Sequence, residues 1–553
     1  MEQGVKKSKF ATFVTVVERV GNKLPHPFIL FGIFILLALL ASYVAAMVGF
    51  EASYLDEGKK AGDVAKVVVV KAVNLLTYDE MRRLISKLPD IYVTFPSLKI
   101  CLIMMMAIGL LESTGFFNAL MRKYLLNAPK GLITAVLVFV CVNANIMSDA
   151  GTILAFTIGG VLFASIGRNP KLGIILGYAA CSGGFTANIF LAGTDALLAG
   201  ITEQAVAGMG MDMSISPLCN YYFMAASTIF LTITLTFVTE KFIAKIIDEP
   251  TKKGINDDSL LNEYQLTPEE HKGLKYSLYG LIVFLIIMGI LCVPENAFFR
   301  NANGGFLPKS PLLSSIVPVI FFLFCSVGVG FGIGVGKIKQ FKDFPKFLQL
   351  GVAKAVPLLV TTLTSAVFLD LLNRSNIFKI LAIKGSYVLK GANVGPLPLL
   401  LLVILITTLI NPFMTSGSTK WILLSPMIVP MFSLMNISPA FAQLAFRIGD
   451  SATNIISPVH HAIPVILGLM AQYDAERGVE GKKEAGFGTI FSLTLPYSIT
   501  ILLTMTLLMI VWYLVGLPIG PGTYLNIKWY DTHKGHIYII NKLKNIRKLV
   551  MYV

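Results

Sequence analysis

Long apolar runs separated by short polar stretches dominate the chain. Residues 28–48, 279–293 with their weakly polar flanks, and 499–515 reach or approach the roughly 20 residues that cross a hydrocarbon core, so each is read as a spanning helix. Other apolar runs are shorter. Residues 132–142 and 153–166 flank a small polar cluster, Met147-Ser148-Asp149-Ala150-Gly151-Thr152. A second cluster, Met414-Thr415-Ser416-Gly417-Ser418-Thr419, follows an apolar run that ends at Asn411, much as the first follows Asn143 and Asn145.

The resemblance between the two regions continues in the same order. Arg168-Asn169-Pro170 is echoed by Met435-Asn436-Ile437-Ser438-Pro439, and Gly183-Gly184-Phe185-Thr186-Ala187-Asn188-Ile189 by Gly449-Asp450-Ser451-Ala452-Thr453-Asn454-Ile455. Three matches at nearly constant separation indicate an internal repeat. Polar and small residues at membrane depth are tolerated where protein or a water-filled cavity surrounds them, so their duplication predicts one shared cavity. In inverted-repeat transporters, interrupted helices meet near the midplane, where helix N-termini attract anions and freed carbonyls hold a cation. The two clusters are read as tips of re-entrant helical hairpins. The alternative is ordinary full spans whose small residues allow close helix packing.

Composition agrees with a membrane setting, since 55% of residues are hydrophobic and 14% charged, and most of such a chain must face lipid. The net charge of +15, from 46 Lys and Arg against 31 Asp and Glu, could indicate a nucleic-acid partner. The basic residues instead cluster beside spans, which is the positive-inside pattern, and no nucleic acid is expected. That rule places the N-terminal arm with Lys6, Lys7, Lys9, Arg19 and Lys23, residues 240–275, residues 337–346 and the C-terminal tail in the cytoplasm. Residues 50–95, 294–310 and 373–395 then lie outside. No small-residue cleavage site follows the first run, which is read as a retained helix. Six scattered cysteines, without C-x-x-C or metal spacing, read as small buried hydrophobes. No ATP-binding loop, H-E-x-x-H or G-x-S-x-G occurs in a fitting context, which disfavours a primary pump or an enzyme. A channel would need a continuous polar pore.

Few charges sit within the apolar segments. Arg447 lies in an apolar stretch with Asp450 three residues on, hence on the same helix face. The pair could simply neutralise itself, or the guanidinium could take a substrate carboxylate bidentately. Asp195, in Gly193-Thr194-Asp195, is either a functional carboxylate at membrane depth or a loop residue capping a helix. Trp421 could anchor at the interface or stack on an aromatic substrate. Lys420, Glu112 and Asp370 read as interfacial or helix-end residues, with lysine able to snorkel. His460-His461 are expected on different helix faces, and the alternate glycines from Gly328 to Gly336 as a helix-packing surface.

With these residues in view, the chain resembles the AbgT family of p-aminobenzoyl-glutamate transporters over residues 11–520. The strings that carry the resemblance are Val17-Glu18-Arg19-Val20-Gly21-Asn22-Lys23-Leu24-Pro25-His26-Pro27, Gly167-Arg168-Asn169-Pro170, Gly193-Thr194-Asp195 and Phe446-Arg447-Ile448-Gly449-Asp450-Ser451-Ala452-Thr453-Asn454. The resemblance implies an all-α polytopic fold of about nine transmembrane helices and two re-entrant hairpins, in a bowl-shaped homodimer of the bacterial inner membrane. It implies import of p-aminobenzoyl-glutamate, or export of sulfonamide antimetabolites, without a cofactor. Matched residue by residue, it implies a transport site of Asp195, Asn411, Ser418, Trp421, Pro439, Arg447 and Asp450. In that reading Arg447 takes a carboxylate, Trp421 stacks on the aminobenzoyl ring, Asn411 and Ser418 donate hydrogen bonds, and Pro439 positions a helix. Asp195 and Asp450 are candidate coupling carboxylates for Na⁺ or H⁺. Thr186, Asn188, Thr453 and Asn454 are candidate cation ligands. A Na⁺/dicarboxylate carrier of similar hairpin architecture, which would dispense with Trp421, is the nearest alternative.

The expected organisation is a cytoplasmic arm (1–26), an oligomerisation part (27–125), a first transport repeat (126–240), a cytoplasmic loop (241–275), further scaffold helices (276–395), a second transport repeat (396–517) and a basic tail (518–553).

Overall fold

The computed structural model describes residues 25–56, 66–208, 211, 213–247, 258–306, 310–414, 416–476 and 486–527. The basic arm before residue 25, the tail after 527 and Thr415 of the second cluster lie outside the described residues. Leaving single-turn segments aside, the first half contains α1 Pro27–Met47, β1 Glu51–Asp56, β2 Lys66–Lys71, α2 Tyr78–Val93, α3 Pro96–Thr114, α4 Phe116–Leu126, α5 Ile133–Ala144, α6 Ser148–Ser165, α7 Pro170–Tyr178, α8 Gly193–Ala207 and α9 Tyr221–Val238. The second half contains α10 Pro268–Cys292, α11 Ile316–Gly334, α12 Phe344–Ser375, α13 Ile377–Gly391, α14 Pro396–Ile410, α15 Gly417–Leu434, α16 Pro439–Ala452, α17 Ile463–Glu476 and α18 Phe487–Val515.

Among the described residues, eight helices are long and apolar enough to cross a membrane, against the nine expected. Gly151–Ser165 and Pro396–Ile410 are apolar but shorter, and one of the eight, Lys130–Met147, contains the first expected hairpin arm. The chain is not purely helical. β1 and β2 pair antiparallel, with Glu51 opposite Lys71 and Asp56 opposite Lys66. The continuous run Val67 to Val70 lacks the alternation that marks a strand, but its β-branched side chains suit a pleated surface. Val70 packs on Ile380 and Ile383 of α13, so the hairpin braces the bend after α12.

Local chemistry places the helix ends. Proline in the first turn opens α1, α3, α7, α10, α14 and α16, where its missing N–H leaves no bond unmade. At α10, Thr267 accepts from Glu270 N (3.2 Å) and the Glu270 carboxylate accepts from Thr267 N (3.0 Å), a reciprocal cap. α2 is amphipathic and is tied to α12 by charge: Arg83 meets Asp370 at 2.5 Å and Glu80 meets Arg374 at 2.5 Å. Asp370 is thus a partnered residue near a helix end.

The glycines of α11 form the expected packing surface. A Cβ at Gly330 would stand 2.5 Å from the Tyr276 carbonyl oxygen, and one at Gly334 2.5 Å from Gly273 Cα. Gly330→Leu is therefore expected to push α10 and α11 apart and lower the melting temperature in detergent by several degrees. Gly289→Ala, which meets nothing within 4 Å, should leave it unchanged. Equal melting temperatures would show that the contact is dispensable.

The repeat is written into the backbone. Gly167 and Asn436 both take left-handed φ, at 77° and 61°. Each is followed two residues later by an N-cap, Asn169 or Ser438, whose side chain accepts a backbone N–H, and then by Pro170 or Pro439. α7 then passes into a wider π turn over Ala179–Gly183 and stops, while α16 stops at Ala452 and is followed by a 3₁₀ turn over Asn454–Ile456. These stops fall on the third pair of matched strings. Ahead of them, α5 and α6 fold back on each other through Asn145–Met147, bringing Cys141 Sγ to 3.9 Å from the Ala155 carbonyl, and α14 ends at Ile410, with α15 beginning at Gly417. Every residue of α16 is buried, whereas α1 and α10 carry exposed apolar faces such as Leu36, Leu37 and Leu40, and Ile282, Val283 and Ile286.

Candidate functional site

Both tips and both helix breaks open onto one cavity of about 590 Å³. Asn145 and Thr152 come from the first tip, Ser416, Gly417, Ser418 and Thr419 from the second. Ser182 and Thr186 come from the first break, Asp450 and Asn454 from the second. Met105 and Ile108 of α3 and Thr361, Thr362 and Ser365 of α12 supply the opposite wall. Hydrogen bonds join the two breaks directly: the Thr186 and Ser451 hydroxyls lie 3.0 Å apart, and Asn454 Nδ2 donates to the Ser182 carbonyl (3.4 Å). The duplicated residues thus meet at a single polar centre.

Two ion pairs are buried beside this cavity. Arg447 donates from Nη2 to Asp195 Oδ1, with both side chains at most 1% exposed. Asp195 also accepts from Ala192 N (2.7 Å), so it caps α8, one of the two roles expected of it, and neutralises Arg447 at once. Arg447 does not pair with Asp450, although both lie on one face of α16. Asp450 is taken by Lys420 at 2.5 Å, and the Lys420 ammonium also donates to Asn411 Oδ1. The expectation of a snorkelling Lys420 is therefore corrected: its side chain is 1% exposed. Lys420 sits in the first turn of α15, which begins at the second cluster, and its stem runs inward to Asp450 and Asn411. That position in a broken helix is the signal that would have found it. Desolvating each ion costs several kcal/mol, so both pairs survive only because every charge is met at close range.

Asn411 ties the second tip to the second break. Its Nδ2 lies 2.5 Å from the Asp450 carbonyl, 2.9 Å from Thr453 Oγ1 and 2.9 Å from Asn454 Oδ1. In the first repeat, Asn143 Oδ1 accepts from Ile189 N (2.9 Å) and so braces the corresponding break.

A family model described as the AbgT putative transporter family matches residues 12–527. The chain belongs to the AbgT family. It is 31% identical over 508 residues to the p-aminobenzoyl-glutamate transport protein of Escherichia coli (strain K12), covering 92% of this chain and 96% of that one. Among solved structures, Neisseria gonorrhoeae MtrF, presented as illuminating a class of antimetabolite efflux pumps, superposes with a TM-score of 0.83 at 33% identity, covering 92% of this chain and 100% of MtrF. The Alcanivorax borkumensis YdaH transporter superposes with a TM-score of 0.78 at 28% identity, covering 90% and 100%. This AbgT chain is therefore a multi-pass membrane protein of a transporter family.

The remaining expected site residues divide by position. Ser418 lines the cavity directly. Trp421 does not line it: the ring is fully buried, its Nε1 donates to Thr202 Oγ1 (2.9 Å), and its face meets Phe446 with centroids 4.7 Å apart. The stacking surface expected for a substrate ring is thus occupied by a neighbour. Pro439 is buried at the start of α16, away from the cavity, and acts by opening that helix. Of the cation candidates, Thr186 and Asn454 line the cavity, Thr453 is bonded behind it, and Asn188 is buried with no hydrogen-bond partner on either amide atom among the described residues. His460 and His461 lie outside any helix, so the different-faces expectation is corrected: their rings stack 4.5 Å apart and both line the cavity. Glu112 is paired with Lys354 of α12, which reaches the cavity wall. All six cysteines are unpaired, and five are buried.

Proposed function

We propose that the chain is a cation-coupled secondary transporter of p-aminobenzoyl-glutamate or a related aromatic anion. In this reading it acts as a homodimer in a bacterial inner membrane, with its N-terminus cytoplasmic and its two helical turns entering the bilayer as re-entrant hairpins. The observation that carries this is the convergence of two sequence-related helix interruptions on one polar cavity, flanked by two buried ion pairs. The names of the relatives supply the substrate class, and the description of MtrF adds antimetabolites, among which sulfonamides, with their aminophenyl group, fit the reading of an aromatic substrate. The basic loops at 240–275 and 337–346 support the orientation.

Coupling follows from charge balance. A substrate carboxylate that captures the Arg447 guanidinium displaces Asp195 and leaves a buried carboxylate without a partner. A buried unpaired carboxylate is strongly disfavoured, so a proton or Na⁺ must arrive with the substrate. Arg447 suits the exchange because its planar fork can hold a substrate carboxylate through two hydrogen bonds, where Asp195 accepts one. The occupied face of Trp421 favours one competing reading, a Na⁺/dicarboxylate carrier that does not read an aromatic ring.

Proteoliposome uptake of labelled p-aminobenzoyl-glutamate under separately imposed Na⁺ and H⁺ gradients tests both. Saturable, gradient-driven accumulation of intact compound is expected, with competition by p-aminobenzoate exceeding that by succinate. The reverse order of competition would select the dicarboxylate carrier. Asp195→Asn is expected to remove the gradient stimulation while exchange of labelled for unlabelled substrate continues; stimulation equal to the wild type would show that Asp195 is not the coupling group.

A further inference from the structure

Gln443, Arg447 and Asp450 stand at i, i+4 and i+7 on α16, a single stripe along one helix face. Asp450 reaches the cavity and Arg447 holds Asp195, but Gln443, one turn nearer the start of α16, has no part in either ion pair. It is nonetheless 0% exposed. Its Oε1 accepts from Cys219 Sγ at 3.4 Å, and its Nε2 has no hydrogen-bond partner among the described residues. Arg447 Nε, on the same face, is likewise unpartnered. Next in the chain to Cys219 comes Asn220, at the N-cap of α9, also 0% exposed and with neither Oδ1 nor Nδ2 bonded. The segment after α18 closes over the same spot, where Gly520 packs against the Leu218 and Cys219 carbonyls.

Buried side-chain polar atoms are nearly always paired, so unpaired atoms on the Gln443–Arg447 face and at Asn220, next in the chain to the Cys219 that meets Gln443, call for an occupant. Three of the four groups, Arg447 Nε, Gln443 Nε2 and Asn220 Nδ2, are N–H donors. Donors without a fixed acceptor suit an anion. Two of the three belong to neutral amides, which hold a carboxylate less tightly than a full positive charge and so allow it to leave.

We propose that Gln443 and Asn220 form a second station for the transported carboxylate, on the side of the Arg447–Asp195 pair away from the cavity. A carboxylate carried by Arg447 is handed from the cavity side of the guanidinium to its Nε edge, where the two amides receive it. In the orientation proposed above, α9 runs from this station to the cytoplasmic loop at 240–275, so the station lies on the outward path, and the segment around Gly520 lies there with it, contrary to the cytoplasmic side expected for the tail that follows. The inference rests on the reading of the substrate as an organic carboxylate.

The test pairs transport with stability in Gln443→Met and Asn220→Leu, which keep volume and remove the amide. A packing role predicts that replacing an unpaired buried amide is neutral or stabilising and leaves transport alone. The station predicts an unchanged or raised melting temperature with kcat/KM for labelled p-aminobenzoyl-glutamate lowered about tenfold or more, the loss of one hydrogen bond to a charged group. Gln443→Glu should lower it further by repelling the anion. Wild-type kcat/KM in both amide-free variants would overturn the station alone, as would a transport loss that only tracks a fall in melting temperature. Absence of uptake by the wild type would instead overturn the substrate reading, and the station with it.

Discussion

Arg447→Ala is expected to reduce uptake of labelled p-aminobenzoyl-glutamate to background while the protein still inserts in the membrane. Two effects combine in that variant. The substrate carboxylate loses its bidentate partner, and Asp195, with 0% side-chain exposure, is left as an unmatched charge. Removing one member of a buried pair costs about 3–5 kcal/mol, a large share of total stability, so the single variant alone cannot separate function from folding. The double variant Arg447→Ala with Asp195→Asn removes both charges. Its melting temperature is expected to recover most of the loss, while uptake stays at background. Recovery of uptake in the double variant would show that the pair only neutralises itself and that the substrate carboxylate binds elsewhere.

Lys420→Met should be comparably severe, because the ammonium satisfies Asp450 and Asn411 together. Those two residues hold the second tip against the end of α16: Asn411 bonds Thr453 and Asn454, and Asp450 forms part of the cavity wall. The expected result is a destabilisation of about 3–5 kcal/mol and uptake lowered at least a hundredfold, with stability largely restored by Lys420→Met combined with Asp450→Asn. Thermal unfolding in detergent and initial uptake rates measure the two effects separately. A single variant of wild-type stability would show that the tip is held without this charge, and normal uptake would remove Lys420 from the transport machinery.

Both predictions turn on partners that cannot be read along the chain. Arg447 and Asp450 share a helix face, which made them each other's obvious counter-ion, yet their charges are met from α8 and α15, about 250 and 30 positions away in the chain. Helical spacing says which side chains point the same way. It does not say what stands opposite. Trp421 illustrates the same limit: its place beside the second tip is evident from order alone, but whether its face meets a substrate or Phe446 depends on how α15 lies against α16. The strands β1 and β2 are not legible in the sequence because four consecutive valines carry no alternation, and their pairing with each other and packing on α13 exist only once the chain is folded.

The sequence by itself determined the membrane-spanning character, the internal repeat and the two places where helices stop. These depend on local quantities: the length of apolar runs, proline and glycine positions, and side chains able to cap a helix end. Gly167 and Asn436, with the caps and prolines that follow them, take matching backbone conformations because short-range sterics dictate them. Tertiary structure alone decided which charge faces which, that Lys420 lies inside, that both histidines turn to one cavity, and that Cys219, next to Asn220, meets Gln443 on Arg447's helix. Ion pairing and burial depend on distances between segments remote in sequence, and in a low-dielectric interior those distances set the energies.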